Sequence, residues 1–300
     1  MPPDTDSPYG QHAPKSKLVS ALIYLSQKAP RNFLSHQFAK VARALVRRNG
    51  QVPLDLSVGE MRLRCYLWDN YTERKFVFMP WRFDRRERKM IFSALPREGV
   101  FVDIGANVGV YTLQAALQLG AKGHVLALEP YPPIYERLLF NIEATQEGHE
   151  GWPTIDALPI GVADKVSNFE LCLNQNNLGQ NSIVAPEPTE RPSDGSAATV
   201  TIPCEPLLDI LKKQEIDRID VLKIDIEGAE DLALGPFMNH APDSLLPTTI
   251  LIEDSSHRWQ TDLRVLFEQR GYSEKFRSRL NIVYQRPAHA DAPGTSDSVH

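Results

Sequence analysis

From Gly99 to Thr112 the chain reads Gly-Val-Phe-Val-Asp-Ile-Gly-Ala-Asn-Val-Gly-Val-Tyr-Thr. Val100, Phe101, Val102 and Ile104 form a short, β-prone apolar run of the kind found in parallel strands buried on both faces. Gly105 and Gly109 allow backbone angles and a closeness of approach that a Cβ would block. Asn107 is one of the few non-glycine residues that tolerate positive φ. A helix follows, with Val110, Leu113, Ala116 and Leu117 on one face. A buried strand, a glycine turn and a helix in that order make a ligand-binding turn of an α/β sheet.

The pattern then alternates, which predicts a parallel sheet with crossover helices. Strands are expected at His124–Leu128, Ile155–Val162, Asp220–Ile226 and Thr248–Ile252, with a final pair between Tyr272 and Tyr284. Helices are expected at Ile134–Thr145, Leu207–Lys213 and Leu263–Arg270. Residues 168–183 read as a β excursion, Pro186–Ala198 as a loop, and Thr199–Pro203 as a returning strand.

Upstream, residues 1–14 are Pro-rich and expected to be disordered, as is the tail from residue 287 to 300. Residues 15–80 read as an extension ahead of a main domain at 81–286. The extension begins with a helical region from Lys15 to Gly50, broken at Pro30, in which Leu34, Phe38, Val41 and Leu45 recur at helical spacing. Alternation at Met61, Leu63, Cys65 and Leu67, then Lys75–Met79, predicts a small hairpin, and Asp84–Leu95 a helix.

A net charge of -5 argues against a wholesale nucleic-acid binder. The charge is uneven, however: between Asp6 and Asp55 there is no acidic residue, while Lys15, Lys17, Lys28, Arg31, Lys40, Arg43, Arg47 and Arg48 lie there. One reading is a basic amphipathic element that touches a membrane surface or an anionic substrate carrier. The other is a helical cap packed on the main domain with a solvated basic face. Cys65, Cys172 and Cys204 lack CxxC spacing and suit free thiols in a reducing compartment. The N-terminus has no signal architecture and no apolar run approaches the roughly 20 residues of a membrane span, so the expected location is the cytosol.

A dinucleotide turn would read G-x-G-x-x-G; here the spacing is G-x-N-x-G with Asp103 two residues before the first glycine. A carboxylate there repels phosphate and suits a ligand with an ammonium group. S-adenosylmethionine carries an ammonium and a sulfonium and no phosphate. Glu129, twenty residues past Gly109 at the end of the next strand, is placed for both ribose hydroxyls. Asp164, after the third strand, is placed for the adenine amino group. Plainer roles exist: a strand exit for Glu129, a turn cap for Asp164. On the cofactor reading, Asp103→Ala is expected to abolish binding and leave thermal unfolding largely intact.

Val102-Asp103-Ile104-Gly105-Ala106-Asn107-Val108-Gly109, with Leu128-Glu129-Pro130 and the run Val221-Leu222-Lys223-Ile224-Asp225-Ile226-Glu227-Gly228-Ala229-Glu230, closely resembles the FkbM-type methyltransferases over about residues 84–285. The resemblance implies a Rossmann-like class I α/β fold, a mostly parallel seven-stranded sheet with helices on both faces. It also implies an S-adenosylmethionine-dependent enzyme that O-methylates hydroxyls of sugars, glycolipids or secondary metabolites. By it, Asp103, Gly105, Asn107, Gly109, Glu129 and Asp164 line the cofactor, and Asp225 sits at the transfer edge.

Transfer to an aliphatic hydroxyl calls for a general base within hydrogen-bond reach. Asp225, Glu227, Glu253 and His257 follow two strands at their carboxyl ends and are the candidates. Acidic residues at 227 and 230 also suit a helix's first turn. Hard oxygen ligands at Asp225 and Glu253 would suit Mg²⁺, though the spacing does not demand a metal. The alternatives are an NAD-dependent oxidoreductase, disfavoured by the missing third glycine and by Asp103, and a binding protein that retains the fold without catalysis.

Overall fold

Ser16 and Asn32 each accept a backbone N–H three residues on, and so start helices α1 (Lys17–Lys28) and α2 (Phe33–Asn49). Gly50, at φ 74°, closes the second. The computed structural model describes residues 2–174, 178, 181, 183 and 198–287. Strands β1 (Leu54–Val58) and β2 (Met61–Cys65) pair as an antiparallel hairpin. Helices α3 (Tyr71–Phe78) and α4 (Arg85–Ser93) lead into β3 (Val100–Ile104), α5 (Val110–Gln118), β4 (His124–Leu128), α6 (Pro132–Gln146) and β5 (Thr154–Leu158). A side unit of β6 (Gly161–Val162), β7 (Ser167–Cys172) and β8 (Thr199–Glu205) forms its own three-stranded sheet. The chain re-enters the main sheet through α7 (Leu207–Lys213), β9 (Val221–Ile224), α8 (Glu230–His240), β10 (Thr249–Glu253), α9 (Leu263–Gln269), β11 (Ser273–Arg277) and β12 (Asn281–Gln285).

The main sheet has seven strands in the order β11-β12-β10-β9-β3-β4-β5. β10, β9, β3, β4 and β5 are parallel, while β12 and β11 add antiparallel. This is the expected Rossmann-like α/β sheet. Strand order reverses between β3 and β9, and ligand crevices open at such a switch point.

Side chains alternate across β3. Val100, Val102 and Ile104 pack with α7, α8 and α9, whereas Phe101 packs on the face that carries α5 and α6. Val19, Ala42, Leu63 and Phe76 belong to that second cluster, so the N-terminal extension shares the main core. No helix among the described residues is long and apolar enough to cross a membrane. Cys65, Cys172 and Cys204 are free.

Three local expectations change. Lys75–Met79 is not a strand: Asn70 accepts from the Glu73 N–H and starts α3, and consecutive buried Phe76, Val77 and Phe78 are met by packing on several sides. A short apolar run without alternation reads equally well as buried helix. The expected strand Ile155–Val162 is split, because Gly161 and Val162 leave to pair with β8. Residues 2–14 are held rather than disordered. Arg64, 1% exposed, forks onto Asp55 at 2.7 and 2.9 Å and donates to the carbonyls of Asp4, Ser7 and Pro8. Asp55 also accepts from the N–H groups of Gly10 and His12. Apart from Ala198 and Pro287, the expected loop at 186–198 and tail at 287–300 lie outside the described residues.

Arg64→Ala should strip Asp55 of its buried counter-charge and cost about 3–5 kcal/mol in denaturant unfolding. Amide exchange in residues 2–12 should rise at the same time. A cost below about 1 kcal/mol would class the pair with surface ion pairs instead.

Candidate active site

Gly105, Asn107 and Gly109 all adopt positive φ, at 73°, 52° and 92°. A Cβ on Gly105 would stand 2.1 Å from the Asp225 carbonyl oxygen, and one on Gly109 would stand 2.7 Å from Leu138 Cδ1. The turn therefore closes against β9 on one side and α6 on the other only as glycine. Asn107 Oδ1 accepts from the Val108 N–H at 2.8 Å and from Asn70 Nδ2 at 2.7 Å, which couples the turn to the extension. The Asn107 N–H donates to Glu129 Oε2 at 2.9 Å, and the Tyr131 N–H to Oε1 at 3.0 Å. Burial pushes Glu129 up to about 7, although both N–H groups oppose it.

Asp103 does not reach the cleft. Alternation turns it to the α5 face of β3, where it is fully buried, accepts from Thr112 Oγ1 at 2.6 Å and pairs with Lys223 Nζ at 3.1 Å. Lys223 is its register partner on β9. Burial works against the lysine's charge, but Asp103 and Asp225 more than offset it and its pKa rises. Its ammonium also donates to the Gly105 carbonyl at 2.6 Å.

Past β9 and β10, Asp225, Glu227 and Glu253 bring carboxylate oxygens within 4.8 Å of one another. All three line a cleft of about 1410 Å³, open mouth included, together with Gly105 and Glu129. Asp225 is the exposed member of the three, and Glu227 and Glu253 are half-buried. Burial raises the pKa of each: Asp84 adds to it at Asp225, Asp225 and Glu253 at Glu227, and Asp225 and Glu230 at Glu253. Hard oxygen donors so placed would also suit a divalent cation. Glu227 stands at φ 57°, with its carbonyl accepting from Arg258 Nη1. Glu230 is structural: it accepts from the Ile226 and Gly228 N–H groups and from Trp259 Nε1.

Two other expected residues stand apart. Asp164 is exposed beyond β6 and absent from the cleft lining, because the chain leaves the main sheet before reaching it; Ile160, Gly161 and Val162 line that end instead. His257 is exposed and outside the lining.

The methyltransferase FkbM domain matches residues 103–274, more than half of the 300 residues. This chain belongs to the FkbM methyltransferase family. It is 28% identical over 158 residues to methyltransferase sdnD of Sordaria araneosa, covering 45% of this chain and 59% of sdnD. It is 25% identical over 171 residues to the AMB antimetabolite synthetase AmbE of Pseudomonas aeruginosa, covering 47% of this chain and 8% of AmbE. The FkbM methyltransferase of Methylobacillus flagellatus KT has a solved structure with 17% identity, covering 72% of this chain and 55% of that chain at a TM-score of 0.39.

The FkbM match begins at residue 103, yet part of the cleft is built from the extension upstream. Tyr71, Thr72, Lys75 and Asp84 line it. Lys75 Nζ pairs with Asp84 Oδ1 at 3.0 Å, and the Tyr111 hydroxyl donates to Asp84 Oδ2 at 3.1 Å. Polar side chains on a short helix and a loop carry no periodic signal in the sequence. Lys223 does carry one, as a lysine inside an otherwise apolar strand.

Asp103→Ala should therefore destabilise the ligand-free protein by about 3–5 kcal/mol, because Lys223 is left buried without its counter-charge. This reverses the expectation of intact unfolding. Asp103→Asn combined with Lys223→Met should recover most of the loss in chemical denaturation. A loss below about 1 kcal/mol for Asp103→Ala would show that the pair does not hold β3 to β9.

Proposed function

We propose that this chain is an S-adenosylmethionine-dependent methyltransferase that O-methylates a hydroxyl of a sugar, glycolipid or secondary metabolite. The observation that carries the reading is the charge of the cleft wall. Asp84, Glu129, Asp225, Glu227 and Glu253 line it, and its lysines, Lys75 and Lys223, are already paired with Asp84 and Asp103. Such a wall offers no unpaired lysine to the diphosphate of a dinucleotide and suits a ligand carrying an ammonium and a sulfonium.

The residues fit that ligand. The Cβ-free turn at Gly105 leaves room at the end of β3, and Glu129 keeps lone pairs for two ribose hydroxyls after accepting its two backbone N–H groups. When bound, the cofactor supplies a methyl group on a sulfonium that departs as a neutral thioether. The protein's share is alignment of the acceptor, exclusion of water and removal of one proton. Asp225, Glu227 and Glu253 line the same cleft as Asp84, and a raised pKa makes whichever of them is ionised a stronger proton acceptor.

Calorimetry on the ligand-free chain should show binding of S-adenosylmethionine and S-adenosylhomocysteine and none of NAD. No heat with either adenosyl ligand, for a folded sample, would sink the reading. The ionised form of Glu129 accepts ribose hydroxyls and its ligand-free pKa is about 7. Affinity should therefore strengthen as pH rises, by about tenfold from pH 6 to pH 8. Glu129→Gln should weaken binding and flatten this dependence.

In a labelled-methyl assay against hydroxylated acceptors, amide substitution of the base among Asp225, Glu227 and Glu253 should lower kcat by about 10²–10⁴-fold. Cofactor affinity should change only slightly. If none of Asp225→Asn, Glu227→Gln and Glu253→Gln reduces kcat, the cluster is not the proton acceptor.

A further inference from the structure

The apolar stripe of α2 faces the wrong way for a packed cap. The helix buries its small residues Ser35, Ala39, Ala42 and Val46 against α1 and the core. Leu34, Val41 and Leu45, at i, i+7 and i+11 on one line of the helix, are left exposed. On α1 the buried residues are Val19, Leu22, Ile23 and Ser26, and Leu18 and Leu25, seven apart, stay outside. The connection between the two helices ends in Phe33, 72% exposed, and Leu34, 74% exposed. Exposed apolar side chains gathered on one helical hairpin mark a contact surface.

The same hairpin is cationic and carries no acidic residue. The turn between its helices adjoins a second depression, lined by Arg31, Phe33, Arg82, Arg85 and Arg86 and by the buried Glu87 among others. Arg86 lies over the Phe276 ring on the far wall, and Arg277, also in the lining, is paired with Asp254 and Glu274. Neighbouring Lys40, Arg82 and Arg43 add to slight desolvation and hold His36 below its usual pKa. Asp84 lines both this depression and the catalytic cleft. The arginine-lined depression beside the exposed Phe33 thus meets the cleft at Asp84.

We propose that this face docks on an anionic lipid surface, with Phe33 and Leu34 entering the headgroup region and the arginines meeting lipid phosphates. The acceptor hydroxyl would then reach the cleft past Asp84. Charge selects the occupant. A second copy in an isologous pair would bring Arg31, Arg43, Arg47 and Arg48 against the same surface of its partner. Phosphates of a nucleic acid would leave Phe33 and Leu34 unmatched. A bilayer interface takes apolar tips and cations together. The orientation toward the acceptor rests on the reading of the cleft as the transfer site; the docking itself does not.

Deleting residues 1–50 would tear out part of the core, so the test uses point variants of the full chain. The wild-type protein should co-sediment with vesicles of phosphatidylcholine plus phosphatidylglycerol about tenfold more than with phosphatidylcholine alone, and lose this at high salt. Phe33→Glu with Leu34→Glu, and separately Arg82→Glu with Arg85→Glu, should abolish the difference while circular dichroism and cofactor calorimetry stay unchanged. Equal partitioning of wild type and both variants overturns the proposal. So does a dimer that the Phe33/Leu34 variant dissolves without any vesicle binding, or salt-sensitive binding to single-stranded RNA in place of vesicles. Vesicle binding without cofactor binding would keep the docking and discard the reading of the cleft; the converse would do the opposite.

Discussion

A buried carboxylate–ammonium pair bridging β3 and β9 governs the geometry of the cleft. Asp103 and Lys223 are register partners on adjacent parallel strands, at the place where the strand order reverses. Each is costly to bury alone, and the pair is tolerable only because both strands hold it in one alignment. A slip of one residue would move Asp103 to the opposite face of β3, among Val102 and Ile104. The pair thus specifies register at the switch point. Through its bond to the Gly105 carbonyl, Lys223 then carries that register into the turn, and the turn carries it through Asn107 to Glu129. Positions of groups on three strands follow from one buried ion pair.

The extension completes the site. Arg64 staples the segment at 2–14 to the hairpin, and its own backbone N–H donates to Asn141 on α6. Asn70, which starts α3, reaches Asn107 in the glycine turn. The wall formed by Tyr71, Thr72, Lys75 and Asp84 is consequently built on the same core as the parallel sheet.

The sheet was legible because its cause is periodic: apolar runs of strand length separated by helices admit few topologies. The glycine turn was legible because only Gly and Asn take those angles. What failed was direction. Asp103 sits at a strand end in either reading, but alternation on β3 decides that it faces α5, and the identity of its partner on β9 depends on a register that a sequence does not print. Asp164 was misplaced because the chain leaves the sheet at Gly161, a departure driven by pairing with β8 more than forty residues later. Leu34, Phe38, Val41 and Leu45 showed a true helical period and still did not name the buried face. Small side chains on the other side of α2 let α1 approach closely, and close packing of Ala39 and Ala42 prevailed over the wider apolar stripe.

Charge is divided in space in a way that the total of -5 conceals. The cleft collects carboxylates that burial and mutual repulsion drive toward protonation, while the outer rim past Asp84 collects arginines. On the reading of the cleft as the transfer site, the two regions would act on different parts of one acceptor. A rim of cations raises the local concentration of anionic molecules and orients them, yet the cleft lysines are already paired and offer those anions no counter-charge. Only a molecule whose negative charge is separated from its hydroxyl by several bonds can satisfy both regions at once. That separation is what a charged headgroup at an interface and a hydroxyl extending from it would provide.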